Sequence, residues 1–292
     1  MRLLRRDTHD GSYILEEFIG DAIPRYAILS HTWGADRDEV TLADLEKGTG
    51  TSKAGYRKLQ FCADQAAEHG LRYFWIDTCC IDKSSSAELT EAINSMFAWY
   101  RDAARCYVYL ADVSTNTPAS GPPAQQDWYP AFQQSRWFKR GWTLQELVAP
   151  ASVNFFSAEG QLLGDKYTLL HELHSITNIK LEALQGNPLD GFGVDERMSW
   201  VGQRETKRDE DLAYSLLGIF NVHMSLIYGE GRKNAFARLQ REIELSNQGP
   251  ASKNQNQPTH SYHGAVFNGN ISGRNVIPGM TNTGGTVNLN FS

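Results

Sequence analysis

Trp142 and Glu146 stand four residues apart at the head of a short apolar stretch, Trp142-Thr-Leu-Gln-Glu-Leu-Val148. If the stretch is helical, both side chains lie on one face, a turn apart. An indole beside a carboxylate suits a flat cationic or nucleoside ligand; the same spacing also fits a core tryptophan and a glutamate paired with Arg140 or capping a backbone. A second polar set forms where the apolar run Tyr26-Ala-Ile-Leu-Ser30 turns into His31, Thr32 and Trp33. A third is Asp77, directly after Arg72-Tyr-Phe-Trp-Ile76, with Asp82 nearby. Parallel strands present ligand-binding groups at their carboxyl ends, which makes Ser30, His31, Trp33 and Asp77 candidates for a pocket rim. His31 fits equally as a satisfied hydrogen-bonder, and the two aspartates as turn caps. Ser30, His31 and Asp77 have the residue types of a hydrolase triad, but their order and the lack of a G-x-S-x-G elbow speak against one. No Walker A or G-x-G-x-x-G follows a strand, so kinase, NTPase and dinucleotide-dehydrogenase chemistry lose support.

The elements that must position these groups alternate. Strand-length runs at Tyr26–Ser30, Arg72–Ile76, Cys106–Leu110 and Ser152–Phe156 are separated by helical patterns. Lys53–His69 carries apolar residues at helical spacing, with Gly70 as a left-handed stop. Ser85 and Glu88 form a candidate capping box ahead of Leu89, Ile93, Met96, Phe97 and Tyr100. Trp142–Val148 reads as a short helix halted by Pro150, and the Pro- and Ser-rich stretch Ser114–Gln126 as an exposed loop. The βαβαβ order predicts an α/β fold with a doubly wound parallel sheet. From Lys166 to about Leu245 the pattern is helical, including Asp209–Phe220 and Lys233–Ile243.

The 292 residues carry a net charge of −6 and no long basic tract, which argues against a nucleic-acid surface. Met1–Arg6 lacks the apolar core and cleavage site of a signal peptide, and no run is apolar enough for a membrane helix; the expected compartment is the cytoplasm. The 4 cysteines, Cys62, Cys79, Cys80 and Cys106, have neither a disulfide framework nor metal-ligand spacing, so buried thiols and no metal are expected. Beyond Ser246 the composition breaks. A linker rich in Asn, Gln, Ser and Gly leads into a segment where Val266, Ile271, Val276, Val287, Leu289 and Phe291 are spaced by Asn and Gly. Thr286-Val-Asn-Leu-Asn-Phe291 alternates with strand period.

Ala27-Ile-Leu-Ser-His-Thr-Trp-Gly34, Tyr73-Phe-Trp-Ile-Asp-Thr-Cys-Cys-Ile-Asp82 and Arg140-Gly-Trp-Thr-Leu-Gln-Glu146 resemble the motifs of the HET domain of fungal heterokaryon-incompatibility proteins. Asp209–Phe220 and Leu226-Ile-Tyr-Gly-Glu-Gly231 extend the resemblance across residues 1–245. It implies a cell-death effector switched on by self-association after non-self recognition. The HET domain is in turn distantly similar to TIR domains, which implies a flavodoxin/TIR-like core at 1–160 and a helical part at 161–245. Enzymatic TIR domains carry a Trp-x-x-x-Glu helix whose glutamate cleaves the nicotinamide–ribose bond of NAD. By that resemblance Glu146 is the catalytic residue, Ser30, His31, Trp33, Asp77 and Trp142 line the substrate pocket, NAD is a substrate and no cofactor is needed. The chemistry is physically reasonable, since a carboxylate can stabilise an oxocarbenium-like state and nicotinamide leaves readily.

The tail resembles the amyloid signalling motifs of fungal cell-death effectors. That resemblance implies a flexible linker at 246–261 and a prion-like segment at 262–292. A partner NOD-like receptor with a similar segment would template its stacking, and the linker would bring HET domains together. The alternative, from a different class, is a non-enzymatic death adaptor in which Glu146 is structural and killing comes from clustering or membrane damage.

Overall fold

The computed structural model describes residues 1–116 and 128–248. The proposed segment 262–292, most of its linker and most of the Ser114–Gln126 loop lie outside them. Seven strands form one sheet: β1 (Arg2–Arg6), β2 (Tyr13–Glu17), β3 (Tyr26–His31), β4 (Tyr73–Trp75), β5 (Arg105–Tyr109), β6 (Val153–Phe156) and β7 (Leu162–Asp165), in the order β2-β1-β4-β3-β5-β6-β7. The four strands foreseen from the sequence are its parallel centre, β4-β3-β5-β6.

The sheet as a whole is mixed, which corrects the expectation of a parallel one. β1 pairs antiparallel with both β2 and β4, and β7 pairs antiparallel with β6. Two tight turns explain this. Asp7 and Ser12 close the first hairpin with a 2.7 Å backbone bond around a left-handed Gly11, and Ser157 and Gln161 close the second around a left-handed Gly160. Chain reversals this short join only antiparallel neighbours. They escaped the sequence because Leu3 and Leu4 are both buried, which erases the alternation, while the burial pattern along β7 has no inward stripe.

The helices are α1 (Leu42–Glu46), α2 (Tyr56–Glu68), α3 (Asp77–Cys80), α4 (Ser86–Asp102), α5 (Tyr129–Gln134), α6 (Thr143–Val148), α7 (Leu170–Thr177), α8 (Leu181–Leu184), α9 (Val194–Ser199), α10 (Asp211–Tyr214), α11 (Leu217–Phe220) and α12 (Gly231–Asn247). All six residues of β3 are buried, as befits a central strand covered on both faces. On one face Tyr107 of β5 donates from its hydroxyl to the Gln65 carbonyl of α2, and Tyr109 packs on Phe61. On the other, Tyr26 donates to the Trp99 carbonyl and Tyr100 to the Leu29 carbonyl, both from or toward α4. Successive strand residues therefore address different helices.

Local signals hold with two exceptions. Gly70, at φ +67°, ends the α2 turn as its freedom in the left-handed region allows. Ser85 caps α4 by accepting the Glu88 amide, but Glu88 does not return the bond; its carboxylate accepts the Asp82 amide at 2.7 Å and pairs with Arg2. The capping box is thus half formed because Glu88 has a stronger, cationic partner. Asp209–Phe220 breaks into α10 and α11. Gly218 of α11 lies so close to the Phe97 side chain of α4 that a Cβ could not be accommodated. α12 runs to Asn247, two residues into the segment read as linker. Among the described residues no helix is long and apolar enough to cross a membrane.

Candidate functional site

β3 divides the candidate site between the two faces of the sheet. Ser30 points to the α6 side. Its Oγ accepts the Trp137 indole N–H at 2.8 Å and donates to the Glu146 carboxylate. The direction of that chain is fixed, because an indole N–H can only donate, leaving the single hydroxyl proton of Ser30 for Glu146. The Tyr100 hydroxyl, which donates to the Leu29 carbonyl at 3.0 Å, is a near neighbour of the carboxyl. Glu146 is 6% exposed and belongs to α6, whose helical residues are all buried. Burial pushes its pKa up to about 7, Asp77 adds to the rise, and the bond from Ser30, the charge of Arg140 and the nearby Tyr100 hydroxyl oppose it. A carboxyl group poised there can hold or release a proton near neutrality.

His31 points to the opposite face. Its Nε2 lies 2.9 Å from one oxygen of Asp77, while the indole N–H of Trp33 donates to the other at 2.8 Å. Burial lowers the His31 pKa against the pull of Asp77, so the ring is neutral at pH 7 and its Nε2–H is the donor. Burial alone would raise Asp77, but Lys83, His31 and Arg140 outweigh it and hold the carboxylate well below the usual range. Nearby, Lys58 pairs with the buried Glu39 and donates to the Thr32 carbonyl at 3.0 Å. Because Ser30 and His31 are adjacent in a strand they face apart, which rules out the Ser-His-Asp triad on geometry.

The structure thus brings Ser30 to Glu146 and His31 with Trp33 to Asp77. It does not bring Trp142 to either group. Trp142 caps the start of α6, half-buried, with its indole against Asp211 of α10. Trp142 is half-buried at the edge of the core, and Glu146 is bonded to Ser30 and makes no ion pair with Arg140 among the described residues.

Several contributors had no legible signal. Trp137 and Tyr100 reach the site from segments distant in sequence. Arg204, 5% exposed, donates to the Arg140 carbonyl at 2.8 Å and to the Thr143 hydroxyl at 2.7 Å, tying down the start of α6. Burial lowers its pKa to about 10, with the charge of Glu146 opposing, and leaves it cationic. Next to it, Glu205 bridges Arg140 in parallel register, and a Cβ on Gly141 would come within 2.5 Å of Thr206. The glycine in Arg140-Gly-Trp142 is there for this close approach.

The parallel strands β4-β3-β5-β6 run, by position in the chain, second, first, third, fourth, and the order reverses between β3 and β5. Such a switch point opens a crevice at the carboxyl ends. A cleft of about 170 Å³ lies there, lined by Thr32, Trp33, Lys58, Tyr109 and Arg136 among others. Glu146 does not line it, because it is on the other side of β3.

Residues 26–124 match the family described as Heterokaryon incompatibility protein (HET). Over 244 residues the chain is 57% identical to the vegetative incompatibility protein HET-E-1 of Podospora anserina, a match covering 83% of this chain and 18% of that protein. The chain therefore spans less than a fifth of the length of this relative. No solved structure matches it.

Proposed function

We propose, from the premise that the chain is a HET-domain protein of the heterokaryon-incompatibility family, that it is a fungal regulated cell-death effector which cleaves NAD at the nicotinamide–ribose bond. One observation carries the enzymatic part: a buried carboxyl, Glu146, is held by Ser30 at the carboxyl end of the first parallel strand, with its pKa near 7. The strand order second-first-third-fourth is that of a flavodoxin-like sheet and supports the TIR resemblance.

In this mechanism the glycosidic C–N bond breaks with its electron pair going to nicotinamide, which leaves neutral. The ionised Glu146 stabilises the oxocarbenium-like ribosyl centre and takes a proton from the water that adds to it, giving ADP-ribose. Ser30 orients the carboxylate and Asp77 supports the rim. Trp142 holds the start of α6.

The carboxyl is closed off in this conformation. Substrate access requires α6 and β3 to part, which fits an activity switched on by assembly. Residues 262–292 would drive that assembly as a cross-β stack templated by a receptor with a similar segment, in the cytoplasm.

The test is nicotinamide release from NAD by the assembled full chain. Release that is lost in Glu146→Gln is the expected result. Cell killing by Glu146→Gln at the wild-type level, with no NAD consumed, would overturn the enzyme in favour of the adaptor. A peptide of residues 258–292 is expected to fibrillise and bind thioflavin T; one that stays monomeric over days removes the assembly mechanism.

A further inference from the structure

Two cations at the carboxyl edge have no part in the chemistry above. Lys83, just after α3, places Nζ 3.7 Å from the centroid of the Trp33 ring, and Arg140, just ahead of α6, places Cζ 4.8 Å from the same centroid. Three segments thus converge on one indole: the ends of β3 and β4 and the start of α6. Among the described residues neither cation makes an ion pair. Their acidic neighbour is Asp77, whose two oxygens are already occupied by His31 and Trp33. Glu39, farther along, is committed to Lys58.

Like charges on one ring repel, and the gain of each cation over the half-buried indole is modest. One carboxylate shared by two cations leaves an unmatched positive charge at the rim. Lys83 is an exposed residue, but its ammonium end is partly desolvated against the indole, which lowers its pKa. Arg140 is also close enough to Glu146 to influence its ionisation. The unmatched charge therefore lies within reach of the proposed reacting centre.

We infer that Lys83 and Arg140, pillared on Trp33, form an anion site that takes the phosphate groups of a nucleotide-type ligand at the carboxyl edge of the sheet, next to the start of α6. This deepens the proposed function, resting on it for the ligand at Glu146. The bound phosphates would place the adjoining ribose toward α6, and the Trp33 indole would keep the two cations apart and extended.

The site is tested by calorimetric binding to the full chain, using ADP-ribose, adenosine and inorganic pyrophosphate as probes. ADP-ribose is expected to bind at least about tenfold more tightly than adenosine, pyrophosphate to displace it, and added salt to weaken it. Lys83→Met and Arg140→Met keep the aliphatic stems on Trp33; each should lose about tenfold for ADP-ribose and nothing for adenosine, and Lys83→Arg should restore most of it. Unchanged ADP-ribose affinity in the two Met variants overturns the site. So does a wild type that binds neither ADP-ribose nor pyrophosphate, a result that stands even if the variants fail to fold. Binding is read without turnover, so the two readings can fail separately. ADP-ribose bound through these cations with no nicotinamide release defeats only the catalytic role of Glu146. Release with a KM for NAD unmoved by the double variant defeats only the anion site.

Discussion

Glu146 and Asp77 are two buried or half-buried carboxyl groups at the same edge of one sheet, and their surroundings drive them in opposite directions. Glu146 stands on a wholly buried helix with the Ser30 hydroxyl as its donor, and burial raises its pKa to about 7. Asp77 meets Lys83, Arg140, His31 and the Trp33 indole, and stays ionised. The difference lies in which face of β3 each is reached from. Sites that run proton chemistry near neutral pH commonly separate two carboxyl groups in this way. Here the arrangement makes Glu146 the group that changes protonation and Asp77 the fixed charge that helps keep it protonated.

The comparison breaks most visibly in catalysis. Glu146→Gln keeps an acceptor for Ser30 but cannot ionise, and nicotinamide release should fall about a hundredfold or more, measured on assembled protein. Asp77→Asn should cost on the order of 1–3 kcal/mol of stability at pH 7, since it leaves the half-buried Arg140, and Lys83 against the indole, without their counter-charge. Denaturant titration checks this. That loss should vanish in acid, because the depressed pKa of Asp77 gives stability that is present above about pH 4 and lost as pH falls.

Glu146 carries the opposite sign. Its native pKa is above its unfolded one, so the native state holds the proton longer and stability is lost as pH rises from about 4.5 to about 7. Glu146→Gln should match wild type near pH 4 and exceed it by up to about 3 kcal/mol at pH 8. A melting series across pH that shows the two variants shifting in the same direction would end the contrast.

Smaller effects sharpen it. Gly141→Ala forces a Cβ to 2.5 Å from Thr206 and should destabilise by about 2 kcal/mol, seen as a melting shift of several degrees. Ser30→Ala removes the donor that favours ionised Glu146; the rise of activity with pH should move upward by about one unit, with little change in melting temperature.

How much of this could be read beforehand depended on whether a signal was local. The strands β3, β4, β5 and β6 are continuous apolar runs, and α2 has a stop glycine, so both the central sheet and its order along the chain were legible. Ser30 and Glu146 were each visible as polar groups at the ends of elements. That they touch was not, because 116 residues separate them and contact is set by strand order. The surroundings of Trp142 were hidden for a related reason: helical spacing places Trp142 and Glu146 on one face but does not say that Asp211, from a later helix, lies against the indole. Arg204 has no motif at all, since a buried arginine satisfied by backbone and hydroxyl oxygens looks in sequence like a surface one.

The bridge from Glu205 to the Arg140 segment, with Arg204 beside it, has a consequence for how such a gene can be reshuffled. A recombination breakpoint between two relatives placed anywhere from residue 149 to 203 would join an α6 from one parent to a strap from the other. A foreign strap would have to reproduce the backbone register at Gly141 and the reach of one guanidinium to Thr143. Chimeras cut before Lys139 or after Thr206 keep both halves from one parent. Those are the exchanges that should yield folded proteins.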